Sequence, residues 1–211
     1  LDDVAGVSPS NPGNADLRPE TTTEIEGGFD GGFFSDKLGV TFTYYWAKTT
    51  DALLSINRPP SEGGGGSRRE NVGEILNTGW EVSMNYTPVN SPDLRWSVDL
   101  NLDSNKNEIL DLGEQAVEQA YLVRDGDGFR EISVMYLGGH EEGYPLRAMW
   151  SRAINGYDAA TNKHTRTSLS VYQGQRMPKW STSLANTLTF GDFRAYALVS
   201  MDRGAVFSNS D

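Results

Sequence analysis

Apolar and polar residues alternate with a period of two along six separate stretches of the chain. In Leu38 to Ala47, Leu38, Val40, Phe42, Tyr44 and Trp46 fall on one face, and Gly39, Thr41, Thr43, Tyr45 and Ala47 on the other. Leu94 to Asp103 repeats the pattern, with Leu94, Trp96, Val98, Leu100 and Leu102 set against Arg95, Ser97, Asp99, Asn101 and Asp103. That period belongs to a strand with one greasy face and one wet face. About ten residues is also the length of a tilted strand that crosses a bilayer. The pattern predicts strands over about 21–34, 38–48, 79–87, 94–103, 180–190 and 193–202. Ser35-Asp36-Lys37, the proline-containing segment 87–93 and Gly191-Asp192 read as short turns between them. Segments 49–78 and 104–179 are long connections. Within the second, 114–123 has the composition of a helical turn or two, while 132–137 and 146–154 read as short strands. The expected fold class is all-β: an antiparallel meander of about six strands in three hairpins, with one long irregular loop region.

The short connections all fall at one end of the strands and the long ones at the other. Bacterial outer-membrane barrels share that asymmetry, as do some soluble β-sandwiches. The aromatics favour the barrel. With the short turns at the bottom, Phe33, Phe34, Tyr86, Trp96, Phe190 and Phe193 lie at the lower strand ends, and Tyr44, Trp46, Trp80 and Trp180 at the upper ends. Mostly smaller or aliphatic residues fill the middle of the same face, Gly27, Val40, Val82, Val98, Leu100, Leu184, Ala195 and Ala197, together with Phe29 and Phe42. Two levels of amphipathic rings bounding an apolar band resemble the interfacial girdles of a membrane barrel. The opposite face carries Glu24, Glu26, Asp30, Glu81, Arg95, Asp99, Asp103 and Arg194, charges that must meet water and that in a wide barrel line a lumen or meet a plug.

Composition changes this picture little. The chain has 211 residues, of which 37% are hydrophobic. No apolar run approaches the roughly 18 residues of a membrane helix, but barrel strands hide their lipid face at every second residue. With no cysteine, disulfides and thiolate metal sites are excluded. The net charge of −11 argues against a nucleic-acid partner. Leu1-Asp2-Asp3 is not the positively charged start of a signal peptide. Candidate chemistry is sparse. Glu24 and Glu26 share a strand face, yet neighbours two apart on a wet face are ordinary solvated residues. His140 and His164 sit in loops without ligand spacing. Asp125-Gly126-Asp127-Gly128 lacks the further carboxylates that calcium requires and reads as a turn. Gly63 to Ser67 reads as a flexible loop tip or an inserted linker. No catalytic residue, metal or cofactor is expected, and the chain is not expected to be an enzyme. The competing readings are a soluble secreted β-sandwich that binds carbohydrate through its Trp and Tyr side chains, and a secreted β-rich hydrolase.

Several short motifs carry a family resemblance. Asn11-Pro12 followed by Asp16-Leu17-Arg18-Pro19-Glu20-Thr21-Thr22 is similar to the leading segment of SusC/RagA-like TonB-dependent receptors. Asn71-Val72-Gly73-Glu74-Ile75, running on to Asn77-Thr78-Gly79-Trp80-Glu81, resembles a second motif of that family. Asn105-Lys106-Asn107 with Leu110-Asp111-Leu112-Gly113, and Gly143-Tyr144-Pro145-Leu146, resemble two more, in the family's order. Gly156 to Lys163 departs from it, lacking most acidic positions of a segment often found there. The resemblance implies the later part of a barrel of about 22 strands with a plug that this chain does not contain. It further implies the bacterial outer membrane, TonB and a SusD-like lipoprotein as partners, and import of an oligosaccharide or peptide.

Overall fold

The computed structural model describes residues 13–58 and 66–207, with the side chains of Asn57, Arg58 and Gly66 outside the description. Asn11-Pro12, Pro59-Pro60 and Gly63 to Gly65 lie outside it. Fifteen strands run in chain order: β1 (Thr21–Phe33), β2 (Leu38–Thr50), β3 (Leu53–Arg58), β4 (Gly66–Asn71), β5 (Glu74–Asn90), β6 (Leu94–Asp111), β7 (Val117–Asp125), β8 (Gly128–Leu137), β9 (His140–Glu141), β10 (Ala148–Ser151), β11 (Ile154–Asp158), β12 (Lys163–Arg166), β13 (Val171–Gln175), β14 (Trp180–Phe190) and β15 (Phe193–Arg203). No helix is present among the described residues.

The long strands form one antiparallel sheet in the order β1-β2-β5-β6-β14-β15. Its lower turns follow local chemistry. Phe34, Ser35 and Asp36 all take positive φ (57°, 55° and 63°) to reverse the chain between β1 and β2, and Gly191 (φ 54°) turns β14 into β15. Between β5 and β6, Ser91 Oγ accepts from the Leu94 backbone at 3.2 Å. β5 runs past Pro88 because the register breaks between Tyr86 and Val89, which leaves the residue without an N–H outside the ladder.

Three regions depart from the sequence reading: segment 49–78 carries the β3-β4 hairpin and the start of β5. Residues 114–123 are not helical: Val117–Asp125 is a strand paired along its length with Gly128–Leu137. The Asp125-Gly126-Asp127-Gly128 turn, with Gly126 at φ 58°, brings those strands together, and pairing overrides the helix-favouring Glu, Gln and Ala. The long connection 104–179 is not irregular either. β6 extends to Asp111, and a five-stranded sheet of order β10-β13-β7-β8-β9 plus the β11-β12 hairpin occupy most of the remainder.

The apolar core lies in these upper connections. Ala52, Leu54, Ile56, Val72, Ile75, Ile109 and Leu112 form one buried cluster, with Ala116, Leu137 and Leu146 packed against it. It joins the β3-β4 hairpin, the upper ends of β5 and β6, and the loop sheet. Gly73 makes that approach possible, since a Cβ there would sit 1.5 Å from the Asp111 carbonyl oxygen and its φ is +70°. Ile109 is fully buried in this cluster. Truncating Ile109→Ala should destabilise the upper region by about 2–5 kcal/mol. Protease digestion of the folded protein should then cut the upper loops faster, while the sheet below still assembles. Loops as resistant as wild type would contradict this placement of the core.

Candidate functional site

Register sorts every candidate side chain of the sheet onto one of two faces. Antiparallel residues directly opposite each other share a face. Asp30 faces Thr41, Glu26 faces Tyr45 and Glu24 faces Ala47. Glu81 lies opposite both Thr43 and Asp103. Asp99 lies opposite Asn85 and Ala185, and Thr189 lies between Arg95 and Arg194. Glu24, Glu26, Asp30, Glu81, Arg95, Asp99, Asp103 and Arg194 therefore occupy the same face.

That face is hydrogen-bonded across the strands. Thr41 Oγ1 donates to Asp30 at 2.6 Å, Ser83 Oγ to Asn101 at 2.8 Å, Asn101 Nδ2 to Ser183 at 3.3 Å and Asn85 Nδ2 to Asp99 at 3.2 Å. Higher up, Tyr45 lies over Gly79, where a Cβ would meet its hydroxyl at 2.4 Å. Asn105 Nδ2 donates to that hydroxyl at 2.6 Å. These Ser, Thr, Asn and Tyr residues form the bulk of the polar face, and charge alone did not single them out in the sequence.

The other face holds the aromatics. Tyr44, Trp80 and Trp180 stand in one register row, joined through Ser104. The Trp80 and Trp180 rings meet edge to face with centroids 5.3 Å apart. Trp46 sits one step higher, opposite Thr78. At the lower end, Phe33 and Tyr86 both face Leu38, Trp96 faces Leu188, and Phe190 faces Phe193. This face is open: Ile25 is 65% exposed, Phe29 55%, Trp180 50%, Phe193 80% and Val199 65%. Among the described residues no second layer covers it.

Above the sheet, the motif residues act as joints. Asn71 Nδ2 donates to the Arg18 and Asp51 carbonyls at 2.8 Å each, and its Oδ1 accepts from Arg18 N at 2.7 Å. Asn107 Nδ2 donates to Asn77 Oδ1 and its Oδ1 accepts from Leu146 N, both at 2.8 Å. The Asn105-Lys106-Asn107 and Gly143-Tyr144-Pro145-Leu146 motifs thus meet where the sheet top joins the loop sheet.

The interior of the loop sheet is aromatic. Trp150 packs on Tyr121, Tyr144 and Tyr172 with centroids 4.2, 4.7 and 5.2 Å away. Glu141 is buried beside them and accepts from Tyr121 Oη at 2.9 Å. The Trp150 indole lies beside the same carboxyl, yet among the described residues Trp150 Nε1 and Glu141 Oε2 have no hydrogen-bond partner. Burial pushes the Glu141 carboxyl above its ordinary range, against the Tyr121 hydrogen bond. Burial holds the neighbouring His140 below its ordinary value, against a hydrogen bond to the Ser55 backbone. His164 packs on Tyr157 in the β11-β12 hairpin, well away from His140 in sequence. No group of three or more acidic or histidine side chains able to hold a metal occurs among the described residues.

These shifts set a pH dependence. An acid whose pKa rises on folding favours the folded loops fully below its unfolded pKa, about 4.5, and that contribution is lost as pH climbs through the raised value. His140 has the opposite sign, its contribution fading as pH falls below about 6.5. Protease resistance of the loop sheet should therefore decline on the alkaline side of the carboxylate range. Glu141→Gln should flatten that decline and leave the acid-side loss due to His140. An unaltered profile in Glu141→Gln would contradict the burial argument.

Comparison with known proteins fits this arrangement. The sequence family described as TonB dependent receptor-like, beta-barrel matches residues 2–210. TonB-dependent receptor P26 of Formosa agariphila is 38% identical over 108 residues, 51% of this chain and 11% of that protein. TonB-dependent receptor SusC of Bacteroides thetaiotaomicron is 28% identical over 137 residues, 65% of this chain and 14% of that protein. The solved structure of the RagAB peptide transporter superposes with a TM-score of 0.71 at 23% identity, covering 97% of this chain and 23% of that one. The chain thus spans between a tenth and a quarter of the length of the proteins it matches.

Proposed function

The chain belongs to the TonB-dependent receptor-like β-barrel family, and on that premise we propose that it supplies barrel wall and ligand-facing outer loops to a receptor that imports a glycan or peptide nutrient. Its place is the bacterial outer membrane. The observation that carries the reading is the open apolar face of the six-stranded sheet, bounded above and below by aromatic rings, while the packed core lies in the loops. A soluble sandwich would cover that face with a second sheet; lipid covers it here. The polar face lines the barrel interior, toward a plug.

One magnitude supports the depth. Phe190 lies ten residues beyond Trp180 on β14. At about 3.3 Å per residue and a tilt of about 40°, that spans roughly 25 Å along the barrel axis, about the height of the apolar band of such barrels.

In this reading the outer loops capture the nutrient under a SusD-like lipoprotein, and TonB acting on the plug admits it. The RagAB neighbour, a peptide transporter, and the receptor SusC support that scheme. The wall contributes no catalytic chemistry, and no nucleic acid is engaged.

Mid-depth on β6 falls at Leu100, between Trp96 and the Ser104 row, whereas Val98 lies one step from the lower ring level. Leu100→Arg in the full-length receptor should cost about 2–4 kcal/mol of insertion. It should deplete the protein from the outer membrane and abolish nutrient uptake. Asn101→Arg, one residue away on the polar face, should insert normally. Equal insertion of the two variants would refute the assignment of faces.

A further inference from the structure

A cavity of about 470 Å³ lies between the top of the polar face and the loop sheet, a size suited to a few linked residues of a ligand. Its chemistry is more specific than its size. On the wall side, Asn107 spends both ends of its amide on Asn77 Oδ1 and the Leu146 backbone, and Asn105 gives its Nδ2 to Tyr45. Among the described residues this leaves Asn77 Nδ2 as a free donor and Asn105 Oδ1 as a free acceptor, the complement of the C=O and N–H of one peptide group.

The cavity is also polarised. Asp103 forms part of its floor, directly opposite Glu81 in the register. Two carboxylates in that relation repel, and no ion pair among the described residues answers either of them. Arg147 stands exposed at the loop-side lip, likewise without an ion pair among the described residues. Leu146 and Met177 supply an aliphatic cover. No aromatic side chain lines the cavity, whereas a sugar ring is held by stacking its face on an aromatic plane.

We propose that this cavity is a subsite for a short peptide that directs a basic side chain to Asp103 and its carboxyl end toward Arg147, with one peptide group held between Asn77 and Asn105. The proposal rests on the import reading above and narrows it from glycan or peptide to peptides bearing a positive charge. The Glu81–Asp103 pair is then a repulsion that the ligand relieves, so the site favours a cation over a neutral or acidic residue of the same shape.

The test uses the full-length receptor in detergent and three fluorescent probes of similar length: a tetrapeptide containing lysine, the same peptide with glutamate in its place, and a linear neutral tetrasaccharide. The lysine peptide should bind about tenfold or more tighter than the glutamate peptide, in line with one charge-assisted hydrogen bond. Asp103→Asn should shrink that preference to under about threefold. Ser181→Trp fills the cavity without changing charge and should weaken both peptides by about tenfold or more, with the thermal transition unmoved. Equal binding of the two peptides, tighter binding of the tetrasaccharide, or an intact lysine preference in Asp103→Asn would each overturn the proposal. Failure of the import reading shows separately, as a receptor absent from the outer-membrane fraction.

Discussion

The six-stranded sheet has to satisfy water on one side and an apolar medium on the other. Its polar face is stitched together by hydroxyl and amide side chains, as between Thr41 and Asp30 or Ser83 and Asn101. Its opposite face presents Phe29, Trp180 and Val199 with no second layer over them among the described residues. In water that arrangement forfeits most of the gain that burial of apolar surface normally brings to a fold. In a bilayer the same face needs no protein partner, and the backbone ladder alone satisfies the polar groups of each strand. The lower turns, the aromatic rows and the position of the core follow from this one condition.

The core is displaced accordingly. Where the chain leaves the bilayer it must again bury apolar groups against itself, and there Ile109, Leu112 and Val72 are enclosed. The family-like motifs sit at that transition because they solve its local problems. Gly73 lets two strands approach where no side chain fits, Asn71 ties the segment before β1 to the β3-β4 hairpin, and Asn107 couples wall to loop. Polar side-chain contacts and apolar packing therefore share one zone, the junction between the wall and a folded outer sheet.

The alternation of Leu38 to Ala47 was legible because half-burial leaves a period of two, and the same is true of Trp180 to Phe190. Above the bilayer the signal fades for a physical reason: residues 104–111 of β6 face water or protein on both sides, so no alternation marks them as strand. The helix-like composition of 114–123 misled because partner strands, absent from a local reading, decide β structure. Charged residues of the polar face were readable from their parity, but the Asn and Tyr network was not. Uncharged polar residues announce a site only once register brings Tyr45, Asn105, Asn107 and Asn77 together.

Every feature of the sheet depends on its apolar face meeting lipid. These 211 residues include no cysteine, so once any cysteine elsewhere in the full-length receptor is replaced by serine, single cysteines can be placed along β2 without a background. Nitroxide labels at Val40, Thr41, Phe42 and Thr43 of the full-length receptor in bilayers report collisions with lipid-dissolved oxygen and with a water-soluble nickel complex. Labels at Val40 and Phe42 are expected to collide with oxygen, and labels at Thr41 and Thr43 to favour the nickel complex. A loss of the two-residue period, or the opposite phase, would contradict that lipid contact.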